Sequence, residues 1–133
     1  MFDKNNLSTR IYNLRKNEGI SQAALGESVG VSLHTISKIE KGERAASIEV
    51  LTALADYFDV PLDYLVGRGI FENWEQVMKY KDIILKGLEK SFGKSSWDFN
   101  VMSEKDLIRL LPAFISKIEI DEKSNKVDVV FYE

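Results

Sequence analysis

Leu33, His34, Ser37 and Lys38 share one side of a helix whose opposite side carries Ile36 and Ile39, and Lys41 follows one turn later. Together they offer an apolar surface, an imidazole, a hydroxyl and two ammonium groups. Such a row can meet a partner that presents hydrogen-bond acceptors and negative charge. It can equally be a solvated helix face. The elements around it decide between these readings.

Ser32 is placed to cap this helix, which runs from Leu33 to Lys41 and is terminated by Gly42. A shorter helix precedes it, capped by Ser21, running through Gln22, Ala24 and Leu25 to about Ser28 and turning at Gly30. Ala23, Ala24 and Gly26 give that helix little bulk, so the pair can cross closely and steeply. In a helix-turn-helix unit the first helix crosses the DNA backbone while the second enters the major groove. The small residues and tight turn favour a reading surface over a solvated face.

Three further helices would support this pair. Leu7, Ile11 and Leu14 mark one from Leu7 to Asn17. Ser47 caps another, with Ile48, Leu51, Leu54, Ala55 and Phe58 as its buried stripe. A short one follows Pro61, with Leu62 and Leu65 facing inward. Gly67-Arg68-Gly69 then ends the helical pattern and marks a boundary.

The 133 residues allow one ordinary domain or two small ones. With 44% hydrophobic and 29% charged residues, a folded soluble chain is expected rather than a disordered one. No stretch approaches the ~20 apolar residues that span a bilayer, and the N-terminus lacks a signal-peptide hydrophobic region, so a cytoplasmic location is expected. The absence of cysteine excludes disulfides, thiolate zinc sites and thiol catalysis. A single histidine and no G-x-S-x-G, P-loop or H-E-x-x-H pattern speak against an enzyme, and no cofactor or metal is expected.

The net charge of −3 disfavours indiscriminate nucleic-acid binding, but it is unevenly spread. Residues 1–44 carry Lys4, Arg10, Arg15, Lys16, Lys38, Lys41 and Arg44 against Asp3, Glu18, Glu27, Glu40 and Glu43. Residues 45–69 hold Arg68 against Glu49, Asp56, Asp59 and Asp63. A basic front with an acidic back can still present a positive face to phosphates.

Over residues 8–67 the chain resembles the Cro/repressor (XRE-like) family of helix-turn-helix regulators. The resemblance is carried by Arg15, Ser21-Gln22…Leu25, Gly30-Val-Ser, Thr35-Ile-Ser-Lys-Ile-Glu40-Lys-Gly42 and Asp63-Tyr-Leu-Val-Gly67. It implies base reading by Leu33, His34, Ser37 and Lys38, where Lys38 suits guanine O6/N7 and Leu33 a thymine methyl. It implies phosphate contacts from Gln22, Thr35, Lys41 and Arg44, and an internal ion pair between Arg15 and Glu40. Many relatives carry a polar residue where Leu33 stands, so the operator does not follow by analogy. Glu43, Ala45 and Ala46 make the loop after the reading helix poor in donors, so modest backbone affinity is expected from each subunit.

Beyond the boundary, Glu72 to Phe92 reads as one long amphipathic helix with Trp74, Val77, Met78, Ile84, Leu85, Leu88 and Phe92 recurring at helical steps. A loop at Gly93-Lys-Ser-Ser follows. Ser103 then starts a helix that Pro112 kinks or ends. Alternation at Ile118-Glu-Ile120-Asp and Val127-Asp-Val129-Val-Phe131-Tyr gives two strands, with Glu122-Lys-Ser-Asn125 as the hairpin turn.

The expected fold is therefore mostly α. A five-helix repressor-like DNA-binding domain covers residues 1–69, and a small α+β region with a long helix and a β-hairpin covers 70–133. The second region is expected to dimerise the protein, through Trp74, Val77, Met78, Leu85 and Leu88 or through edge pairing of the hairpin. Alternatively the helix simply covers the hairpin within one subunit. A sharper alternative is a sensor pocket for a small ligand or peptide, lined by the two Trp, Phe92, Phe99, Phe114, Phe131 and Tyr132. The expected function is a sequence-specific transcriptional regulator, a repressor acting as a homodimer on a palindromic operator in double-stranded DNA. The chain's end is similar to the closing segment of some large serine recombinases, which hints at a prophage or mobile element. The rival reading is an antitoxin or anti-repressor that uses the same helical domain to bind protein.

Overall fold

Ser21, Ser32 and Ser47 each accept a backbone N–H from three residues on, those of Ala24, Thr35 and Val50, at 3.0, 3.1 and 3.3 Å. Each bond satisfies a donor that the first turn of a helix leaves without a partner. The computed structural model describes residues 4–92, 102–113 and 115–132. Contacts divide the chain into two units, Met1–Gly67 and Arg68–Glu133.

The first unit comprises α1 (Lys4–Glu18), α2 (Gln22–Val29), α3 (Leu33–Glu40), α4 (Ile48–Phe58) and α5 (Leu62–Val66). Helix α1 packs on α3 and α5, while α2 packs on α3 and α4. Leu7, Ile11, Leu25, Ile36, Ile39, Leu54, Phe58 and Leu65 form the sealed core. Each such side chain contributes about 1.5–3 kcal/mol relative to an exposed position. Two positions differ from the sequence reading. Ile48 is 60% exposed, because it opens α4 ahead of the turns that pack on the core. Leu62 is half-buried, and Tyr64 joins Leu65 inside instead.

The second unit begins with a 3-10 turn, Gly69–Phe71. It continues with α6 (Trp74–Lys79), α7 (Lys81–Phe92), α8 (Glu104–Leu110), a second 3-10 turn (Leu111–Ala113), β1 (Ile115–Asp121) and β2 (Lys126–Phe131). The long helix expected over Glu72–Phe92 is thus two helices. Tyr80 leaves the helical region at φ −107°, ψ 20°, and its carbonyl restarts the ladder by accepting the Ile84 N–H at 3.1 Å. The break lets α6 lie against β1 and α7 against β2.

A capping box opens α8. Ser103 Oγ accepts the Asp106 N–H at 3.2 Å, and the Asp106 carboxylate accepts the Ser103 N–H at 3.3 Å. The strands pair antiparallel, with Ile118 opposite Val129 and Asp121 opposite Lys126, and a bulge lies between Ile115 and Lys117. Asn125 closes the intervening turn in the left-handed region at φ 53°, a conformation Asn tolerates. The Gly93–Ser96 loop, Trp97, Phe99, Phe114 and the Phe92 side chain lie outside the described residues.

Candidate nucleic-acid interface

Gly26 sets how closely α2 approaches the turn into α3. A Cβ there would stand 2.6 Å from the Val31 carbonyl oxygen, and that region is backbone, which cannot swing aside. The Val31 N–H donates to the Gly26 carbonyl at 2.8 Å, and Gly30 turns the chain at φ 80°. The geometry fixes α3 against α2. Ile36 and Ile39 are buried on the inner side of α3. On the other side Leu33 is 52% exposed and His34 is exposed, while Ser37 and Lys38 are half-buried and Lys41 is exposed. The loop after α3 is held by backbone bonds from Gly42 N–H to Ile39 and from Glu43 N–H to Lys38.

The far end of α3 is locked to α1. Arg15 donates to both oxygens of Glu40, at 2.6 Å from Nε and 2.8 Å from Nη2. Their side chains are only 9% and 4% exposed. A third Arg15 bond, 2.9 Å from Nη1, goes to the Ile20 carbonyl ahead of α2. Gln22 Nε2 donates to Glu40 Oε1 at 3.1 Å, and the Ser8 hydroxyl donates to the Glu40 carbonyl. The hydrogen bond to Glu40 raises the Arg15 pKa, against the opposing effect of burial. A carboxylate at the end of the exposed helix would repel phosphates, and Arg15 neutralises it.

Thr35 lies half-buried in the first turn of α3 with its hydroxyl 3.1 Å from that of Ser32. Lys41 and Arg44 are exposed after the helix. Neither α2 nor α3 carries an acid in its first turn, so the partial positive charge of each N-terminus is uncompensated by its own side chains. One base from the sequence tally belongs elsewhere. Arg10 is 1% exposed, donates to the Tyr64 carbonyl and lies 4.9 Å from the centroid of the Tyr64 ring, so it ties α1 to α5. Its spacing from Leu7 and Leu14 puts it on the buried stripe, a signal that was legible. The Gln22–Glu40 bond carried no such signal.

In the second unit, Trp74 and Val77 are fully buried, Leu85 and Leu88 nearly so, and Met78 is half-buried. Trp74 Nε1 donates to Glu104 at 2.9 Å and its ring meets that of Phe71. Trp74, Val77, Leu85 and Leu88, expected from the sequence at a dimer interface, are thus already enclosed within one chain, and Met78 keeps part of its surface open. The aromatic pocket also takes another form. Trp74 is core and Tyr132 is 62% exposed, while Phe131 lines a groove of about 270 Å³ between α7 and β2 with Ile84, Leu88, Val127 and Val129. Among the described residues, none with a charged side chain lines that groove.

A helix-turn-helix family model matches residues 11–65. The chain is 33% identical over 78 residues to the cryptic phage CTXphi transcriptional repressor RstR of Vibrio cholerae, covering 58% of this chain and 70% of that protein. It is 29% identical over 120 residues to the HTH-type transcriptional regulator AnsR of Bacillus subtilis, covering 86% and 95%. Among solved structures it is similar to the P22 c2 repressor in complex with a synthetic operator. That match has 42% identity and a TM-score of 0.44, covering 45% of this chain and 91% of that one.

Proposed function

Because the chain belongs to the Cro/C1-type helix-turn-helix family of DNA-binding transcriptional regulators, we propose that it is a repressor that reads a palindromic operator as a homodimer. The observation that carries the reading is the α3 face, exposed at Leu33 and His34 and anchored at its far end by Arg15 and Glu40. Leu33, His34, Ser37 and Lys38 read base edges in the major groove. Gln22, Thr35, Lys41 and Arg44, with the amides opening α2, hold phosphates on either side. The Glu40 bond fixes the Gln22 amide and leaves its second N–H for a phosphate oxygen.

One such unit covers one half-site. With so few cations around α3, useful affinity requires two units, spaced about 34–36 Å apart on the duplex. The repressor assignment is supported by the RstR relative, and so is a setting on a phage or mobile element.

A gel shift against the DNA upstream of the protein's own gene tests the reading, since a repressor of this kind often controls its own promoter. A shift that survives excess non-specific duplex supports it. No shift even at about 50 mM salt, where phosphate contacts are strong, would favour an antitoxin-like protein-binding module.

A further inference from the structure

We infer that β2 is the dimer edge: two copies pair antiparallel through it, with Val129 on the two-fold axis. This rests on the dimer reading above and names its surface. The two edges of the hairpin are treated differently. On the β1 side, Asn73 Nδ2 reaches the Ile118 carbonyl at 3.5 Å and the Gly69–Phe71 turn packs on the strand. No described strand pairs with the outer edge of β2.

The direction of the backbone groups follows from two contacts. The Ile118 carbonyl faces Asn73, so it points away from β2. Ile118 stands opposite Val129, which makes them a non-hydrogen-bonded pair, so the Val129 N–H and C=O point away from β1. The Val130 carbonyl instead accepts the Ser116 hydroxyl at 3.1 Å and so faces β1, as alternation requires. Val129 therefore presents both a donor and an acceptor to the free edge, the geometry in which a residue exchanges two bonds with its own copy.

Side chains select the register. Val127, Val129 and Phe131 line the groove under α7, while Lys126, Asp128 and Val130 are exposed. Centred on Val129, the strand places Val127 against Phe131, Asp128 against Val130 and Lys126 against Tyr132 of the copy, with no like charges opposed. Centred on Asp128, it would oppose two carboxylates. Centred on Val127, it would run into the turn at Glu122–Asn125. The Val129 register uses the whole strand without opposing like charges. It covers Val130 and Tyr132, which are 46% and 62% exposed, and turns a marginal two-stranded sheet into a four-stranded one.

The chain has no cysteine, so single-cysteine variants report on their own. In the full-length protein, Asp128→Cys, Val129→Cys and Val130→Cys are treated with a short bifunctional thiol-reactive cross-linker, which alkylates one thiolate on each copy. Val129→Cys is expected to be captured as a covalent dimer several-fold more than either neighbour. Val129→Pro removes an outward N–H while sparing the bonds to β1, though it also fixes φ and loses the Val side chain. It should sediment as monomer where the unmodified chain is dimeric, with its helical circular dichroism retained. If that variant fails to fold, the cysteine series decides. A dimeric wild type whose strongest capture is at Asp128→Cys or Val130→Cys, or that shows none, overturns the β2 edge while leaving the dimer intact. A monomeric wild type overturns both.

Discussion

Arg15 on α1 grips Glu40 at the last turn of α3 through two parallel N–H···O bonds of 2.6 and 2.8 Å, and reaches the Ile20 carbonyl before α2 with a third nitrogen. One guanidinium thus joins three helices and sets the angle at which the exposed face of α3 leaves the domain. A lysine could not hold this arrangement, because its ammonium lacks the planar fork.

Arg15→Ala takes the cation from a Glu40 side chain that is 4% exposed in the intact pair. Breaking one side of a buried pair costs about 3 kcal/mol or more. Urea unfolding should show the midpoint falling at unchanged slope. Arg15→Met combined with Glu40→Leu should recover much of the loss, since an apolar pair leaves no orphaned charge.

Gly26→Ala forces a methyl group against the Val31 carbonyl, 2.6 Å away. Overpacking of this kind costs about 1–3 kcal/mol and should tilt α3, so thermal stability and operator affinity should fall together. Retained affinity at normal stability would mean that the turn into α3 gives way to the methyl group without moving the helix.

Gly87→Ala should act in the opposite direction. Gly87 sits inside α7 with nothing among the described residues within 4 Å of the added Cβ, so the substitution gains helix propensity without a clash. A rise of about 0.5–1 kcal/mol is expected in chemical unfolding.

Lys41→Ala removes an exposed cation just beyond the exposed face of α3. Binding should weaken by a similar factor on operator and unrelated DNA. The slope of log K against log salt should become shallower by about one. An unchanged slope would place Lys41 away from the phosphates.

Much of the first unit was legible because its punctuation is local. Ser21, Ser32 and Ser47 cap, Gly30 and Gly42 turn, and the apolar steps between them are helical. The break at Tyr80 was not legible: Val77 and Ile84 are seven residues apart, two helical turns, so the apolar phase runs straight through it. The same phase made Trp74, Val77, Leu85 and Leu88 look like an interface stripe, since periodicity shows that a face is buried but not by what. At α3, spacing gave the row from Leu33 to Lys41, whereas the Arg15 pair came only with the family resemblance. The Gln22 amide joins Glu40 across 18 positions of sequence, which no local pattern encodes.

The role proposed for the exposed α3 face is to read sequence. Its most direct test is to select preferred sites from random duplexes with the wild type and with Lys38→Ala, and to compare their base preferences position by position. Losing one bidentate base contact should cost about 1–3 kcal/mol of discrimination at one base pair in each half-site, with the rest of the site unchanged. An identical preference at every position in the two proteins would mean that Lys38 touches no base and that this face of α3 does not read the groove.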